Sequence, residues 1–203
     1  MGVYFTSDLH LGHNREFVYK KRGFTDIVSH DKAVIDNINE VVTGDDYLWI
    51  LGDICFGDVS RDDERKYFED LIKINCRNIS VIIGNHDSPS KVEFYKELGW
   101  NVVGYAHLLN VKKHPYMLSH YPTLTRNGTY KGELHREVIN LYGHTHQETP
   151  FLIENEEEIP LSFHVGVDSN NLRPIEIGEI RKMVHEKYEE VITKEAINER
   201  DDR

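Results

Sequence analysis

Cysteine is nearly absent: Cys55 and Cys76 are the only two in 203 residues, and neither sits in a CxxC spacing. Neither a disulfide framework nor a thiolate zinc site is therefore indicated. No run of about 18 apolar residues is present that would span a bilayer. Residues 1–8 lack the basic and longer apolar regions of a secretory leader, so a cytoplasmic setting is expected. Met1-Gly2 with Thr6 formally fits a myristoylation start, but Val3-Tyr4-Phe5-Thr6 reads as a buried strand. Positive charge is scarce as well. With 24 Lys and Arg against 35 Asp and Glu, the formal net charge is −11, which opposes long nucleic acid and anionic membranes as partners. Several hydrolase signatures are missing too: there is no GxSxG elbow, no GxxxxGK[ST] loop and no HxHxDH.

What is present is a repeated pattern in which a short apolar run ends in polar, chemistry-bearing residues. Leu48-Trp49-Ile50-Leu51 ends in Gly52-Asp53. Val3-Tyr4-Phe5-Thr6-Ser7 runs into Asp8 and His10, and Ile79-Ser80-Val81-Ile82-Ile83 into Gly84-Asn85-His86-Asp87. Tyr116-Met117-Leu118-Ser119 reaches His120, and Val138-Ile139-Asn140-Leu141-Tyr142 reaches Gly143-His144-Thr145-His146. Such runs read as buried strands, and in open α/β sheets ligands bind beyond the carboxyl ends of the strands. Five strand ends are expected to converge on one site.

Residues two apart on an extended backbone point the same way, so Asp8 with His10, and His144 with His146, each offer a paired donor set. Adding Asp53, Asn85 and His120 gives seven oxygen and nitrogen ligands without a thiolate. That mixture suits Mn, with Fe, Zn or Ni as alternatives, better than a structural zinc site. Seven protein ligands exceed the needs of one ion but serve two divalent ions sharing a carboxylate. Such a pair can hold a hydroxide and the reacting oxygens of an in-line displacement.

The ordered set Asp8-x-His10, Gly52-Asp53, Gly84-Asn85-His86-Asp87, His120 and Gly143-His144-x-His146 resembles the calcineurin-like metallophosphoesterases, in particular their small bacterial and phage members. The resemblance implies an α/β fold, a two-sheet β-sandwich flanked by helices in a four-layer αββα order. It implies a dinuclear phosphoesterase cleaving a small phosphodiester or phosphomonoester by metal-hydroxide attack, with a nuclease or cyclic-nucleotide phosphodiesterase as the alternative. A non-catalytic metal-binding scaffold is the reading from another class. By the same resemblance Asp8, His10 and His146 would hold one ion and Asn85, His120 and His144 the other, with Asp53 bridging. His86 would assist the leaving group, and Asp87 would orient it. Phe56-Gly57-Asp58 departs from the family's usual continuation after Gly-Asp, which puts any role for Asp58 in doubt.

Between these blocks the chain alternates strands and helices in its first half, as βαβ units do. Ser29 is expected to cap a helix reaching Val42, a helix is expected over residues 61–74, and Ser88-Pro89 to open one ended by Gly99. Residues 100–111 read as one strand of a second, more antiparallel sheet. Residues 123–136 form a polar loop whose Arg126 and Lys131 could clamp a substrate phosphate, and Tyr121 could offer its ring or hydroxyl to a leaving group. His13 reads as a plain loop residue, Cys55 as a buried thiol, and His164, Asp168 and Asn170 as neighbours of the site. Residues 154–158 read as an acidic hairpin tip. One domain is expected over residues 1–175, with a charged helical tail over 176–203, frayed at its end, belonging to it.

Overall fold

The computed structural model describes residues 1–57, 61–123, 137–154 and 157–201. Two five-stranded mixed sheets are packed face to face, with helices alongside, the first of them the single turn α1 (Glu16–Tyr19). In the first, β1 (Val3–Thr6), β2 (Tyr47–Ile50), β3 (Asn78–Ile82) and β4 (Asn101–Gly104) run parallel, and β10 (Ile175–Glu176) pairs antiparallel with β1 at the edge. The second follows the order β5 (Ala106–Val111), β6 (His114–Ser119), β7 (Ile139–Tyr142), β9 (Glu157–His164), β8 (Phe151–Glu154). Its three middle strands are parallel and its two outer pairs antiparallel.

The alternation of side chains along β2 shows how the layers are built. Leu48 and Ile50 face a core shared with α2 (Ile27–Val41), α3 (Asp62–Glu69) and α4 (Pro89–Glu97), through Val34, Ile35, Ile38, Phe68 and Tyr95. Trp49 and Leu51 face the opposite way, into a core between the sheets with Phe5, Ile82, Leu118, Leu141 and Phe163. Ile180 and Val184 of α5 (Ile177–Asp201) enter that second core. The helix thus packs against β9, β10 and β1.

Several local expectations are corrected. Asp26, not Ser29, caps α2: its carboxylate accepts from the Ser29 N–H at 2.8 Å, which makes Ser29 the third helical residue. The cap lies just before the first apolar residue, Ile27, so the helix begins three residues earlier than a Ser29 cap would allow. Residues 100–111 are two strands, because β4 ends the first sheet and β5 begins the second, with exposed Tyr105 at the corner between them. The 61–74 helix is α3 followed by a 3₁₀ turn over Asp70–Lys73. Strand β10 is an addition to the expected elements, and β8 is the strand that enters the acidic hairpin. The acidic stretch 154–158 joins β8 to β9, with residues 155–156 outside the described residues, as are 202–203 of the tail. Among the described residues no helix is long and apolar enough to cross a membrane.

Candidate metal centre

The carboxyl ends of β1, β2 and β3 from one sheet, and of β6 and β7 from the other, meet at one edge of the sandwich. Gly52 makes the meeting possible. Its φ of +88° suits glycine, and a Cβ there would lie 2.6 Å from the backbone of Gly84 at the end of the neighbouring strand. Asp8, His10, Asp53, His144 and His146 then all take φ between 48° and 69°. Non-glycine residues hold that left-handed conformation at a cost of about 1–3 kcal/mol each, and such strain gathers at functional sites.

Two groups of donors result. Asp8, His10 and His146 form one and Asp53, His120 and His144 the other, with the donor atoms of each group within 4.8 Å of one another. Asp53 lies between them: its Oδ2 is 3.7 Å from His10 Nε2 and 3.5 Å from His120 Nε2. Asn85 places Oδ1 3.0 Å from His120 Nε2. His86, with its side chain 41% exposed, brings Nε2 to 3.9 Å from Asp53 Oδ2 from the solvent side.

The neighbours of these rings decide which nitrogen faces inward. His120 Nδ1 donates to the Leu51 carbonyl at 2.8 Å and His146 Nδ1 to Asp168 Oδ2 at 2.7 Å, which leaves both Nε2 atoms as lone-pair donors. His146 Nε2 then faces His10 Nε2 at 3.1 Å, and His120 Nε2 faces the carbonyl oxygen of Asn85. Each close pair needs a proton or a cation between its two atoms, and a metal ion can supply it. The residues present therefore fit a metal at both groups.

Electrostatics agree. Burial pushes the Asp8 carboxyl up and, with the neighbouring His146, drives His10 down to about 2. Burial also works to raise Asp53, but the hydrogen bond and charge of His120 outweigh it and draw the carboxyl down to about 2. For His120 burial opposes the charged ring, and the partnership with Asp53, together with the charge of Asp8, wins and raises it. Burial and the adjacent His120 lower His144.

Asp87 has a different part from the one expected. Its buried carboxylate accepts from the N–H groups of Asp53 and Gly84, both at 2.9 Å, and from the Tyr95 hydroxyl at 3.0 Å. Among the described residues none of its hydrogen bonds goes to the His86 imidazole, because the N–H groups of the strand ends surround it; Asp87 ties the loop after β2, which carries Asp53, to the loop after β3, which carries His86. Lys91, buried on α4, joins the same two loops by donating to the carbonyls of Cys55 and His86, each at 2.7 Å. His13 is buried against His10, its Nδ1 3.3 Å from His10 Nδ1 and its ring stacked on Phe56. Tyr121 is exposed and sets its ring edge-on to His144, 4.6 Å between centroids. Cys55 is a buried thiol outside both groups, as read from the sequence. Arg126, Lys131 and Asp58 lie outside the described residues.

The sequence profile of the calcineurin-like phosphoesterase superfamily domain matches residues 1–192. The gene 66 protein of Mycobacterium phage D29 is 31% identical over 206 residues, covering 91% of this chain and 96% of its own. An uncharacterized protein of Methanocaldococcus jannaschii is 27% identical, with 90% of each chain covered. Among solved structures, a protein of unknown function from Aquifex aeolicus superposes with a TM-score of 0.62 at 20% identity. That alignment covers 90% of this chain and 98% of the other.

Proposed function

Because this chain belongs to the calcineurin-like phosphoesterase superfamily and is thus a metal-dependent hydrolase of phosphoester bonds, we propose that it works with two divalent ions on small phosphodiesters, nucleotides among them. The observation that carries this reading is the position of Asp53 Oδ2 between the two donor groups, within 3.7 Å of a histidine nitrogen of each. Asp8, His10 and His146 would hold one ion, Asn85, His120 and His144 the other, and Asp53 both. Manganese is the first choice for an all oxygen and nitrogen set, with Fe, Zn or Ni as alternatives. Bound there, the ions supply Lewis acidity and acidify water enough for attack at neutral pH.

The chain's own residues supply the remainder. The exposed His86 reaches over the donors and can give a proton or hydrogen bond to the departing ester oxygen. Its backbone N–H donates to Asp53 Oδ1 at 2.9 Å, so one loop sets both the imidazole and the shared carboxylate. Aromatic rings stand on two sides of the donors. Phe17 is 71% exposed beside His13, and Tyr121 is 49% exposed beside His144. Such rings favour an ester with an aromatic group, a nucleobase included, by stacking. Arg126 and Lys131 remain the proposed phosphate clamps, and the net charge of −11 disfavours long nucleic acid.

The test is a panel of aryl diesters, aryl monoesters, cyclic and linear nucleotides and duplex DNA, assayed with Mn, Ni, Zn and Mg. Diester cleavage at least equal to monoester cleavage, with duplex DNA untouched, is expected. Hydrolysis of monoesters alone would overturn the diester reading. Failure on every phosphoester with every metal would leave the scaffold alternative standing.

A further inference from the structure

Arg22 lies outside both donor groups, yet its side chain is only 3% exposed and its guanidinium is fully engaged. Nε and Nη2 donate to the two oxygens of Asp168, each at 2.9 Å. Nη2 also donates to the Asp8 carbonyl at 2.9 Å and Nη1 to the Leu9 carbonyl at 3.1 Å. Nη1 faces His30 Nε2 at 3.0 Å, and His30 Nδ1 pairs with Asp31, whose other oxygen accepts from the Gly12 N–H.

These contacts converge on one donor group. Asp8 is held through its own carbonyl, His10 through the carbonyl of Leu9 just before it, and His146 through Asp168, the acceptor of its Nδ1 proton. Two of those ligands follow β1 and the third follows β7 of the far sheet, so a single planar fork joins the two sheets behind the same metal position. The other group is supported differently, with His120 resting on the Leu51 carbonyl. A carboxylate behind a ligating imidazole fixes its tautomer and raises its basicity, and a guanidinium is what fixes the carboxylate in plane. Without the fork Asp168 would be a buried charge lacking its cation, and Asp8 and His10 would lose the anchors of their left-handed backbone.

We propose that Arg22 is the positioning residue of the Asp8–His10–His146 metal position, acting through Asp168 and the Asp8 and Leu9 carbonyls, and that its loss weakens that position while sparing the other. The inference rests on the two-ion reading above. A lysine keeps the charge but cannot span both carboxylate oxygens and two carbonyls.

The test titrates metal-free wild type, Arg22→Lys and Asp168→Asn with Mn²⁺, by calorimetry and by electron paramagnetic resonance. Circular dichroism of the metal-free forms verifies folding. Wild type is expected to take two ions and to show an exchange-coupled pair. Each variant is expected to keep one ion near wild-type affinity, to bind the other roughly 10- to 100-fold more weakly, and to show an isolated-ion signal at one equivalent. Two ions at wild-type affinity in a folded variant would overturn the inference, as would equal weakening of both. If Arg22→Lys does not fold, Asp168→Asn, which keeps the shape of the side chain, decides the matter by the same outcomes. A wild type that takes only one ion would instead sink the two-ion reading itself.

Discussion

Replacing Asp87 tests whether its carboxylate builds a loop or steers an imidazole. Asp87→Ala would leave the N–H groups of Asp53 and Gly84, now 2.9 Å from an acceptor, buried without one. Each such orphan costs about 1–3 kcal/mol, and the longer bond from Ile54 and the Tyr95 hydroxyl are lost as well. The expected loss of stability is about 3–5 kcal/mol, which for a chain of this length lowers the melting midpoint by roughly 10 °C. Tyr95→Phe removes a single hydrogen bond to a charged group, for about 1.5–3 kcal/mol, and leaves the loop in place. Since Asp53 and Asn85 ride on the two loops that Asp87 joins, metal uptake should fall in Asp87→Ala and hold in Tyr95→Phe. Thermal melts of metal-free protein, run beside metal titration and turnover, check all three. If Asp87 instead steered His86, Asp87→Ala would copy a His86 substitution. Its melting would stay within about 0.5 kcal/mol of wild type, as for a surface change, with metal uptake intact and turnover reduced. That result would refute the reasoning.

His86→Gln should keep wild-type metal content by elemental analysis while turnover falls by about 100-fold or more; metal lost together with activity would make His86 a ligand. Gly143→Ala would drive a Cβ into Ser7 Oγ and Asp8 Oδ2. It should cost about 1–3 kcal/mol and weaken metal binding at Asp8, and an equally stable, equally active variant would deny the close approach. Asp46 accepts from the Thr43 hydroxyl, the Gly2 N–H and the Thr43 N–H, which draw its carboxyl down to about 2. A lowered carboxyl stabilises the fold above its unfolded value near 4. The stability gap between wild type and Asp46→Asn should therefore be constant above about pH 5 and close as pH falls through 2, measured by melting at each pH.

The donor set could be read in the sequence because each ligand block closes a short apolar run, and strand ends in a parallel sheet share one edge. Trp49 beside Leu48 shows why layer order was harder: both are apolar, and only the packed structure assigns them to different cores. The strand break at Tyr105 is marked only by Gly104, whose φ of +132° turns the chain, and one glycine in an apolar run fits a bulge within a single strand equally well. Arg22, Lys91, Tyr95 and the His30–Asp31 pair escaped notice because their importance lies in partners far along the chain, and pairing is a tertiary property. Asp168 had a visible cue, its place just past β9, but one carboxylate in a loop is too common a signal. Asp87 was assigned to the neighbour in sequence, whereas its N–H partners include one 34 residues away.

Both donor groups draw on both halves of the chain, and this makes the metal a joint. Asp8, His10 and Asp53 precede the exposed corner at Tyr105, while His120, His144 and His146 follow it. A chain cut at that corner gives two pieces, neither with a complete group, although β10 of the second piece still carries the pairing edge for β1 of the first. Their reassociation, driven by the apolar core between the sheets, would then be tightened by divalent cation and loosened by a chelator. The β4–β5 corner is accordingly the place to divide this protein into a complementation pair whose affinity responds to metal.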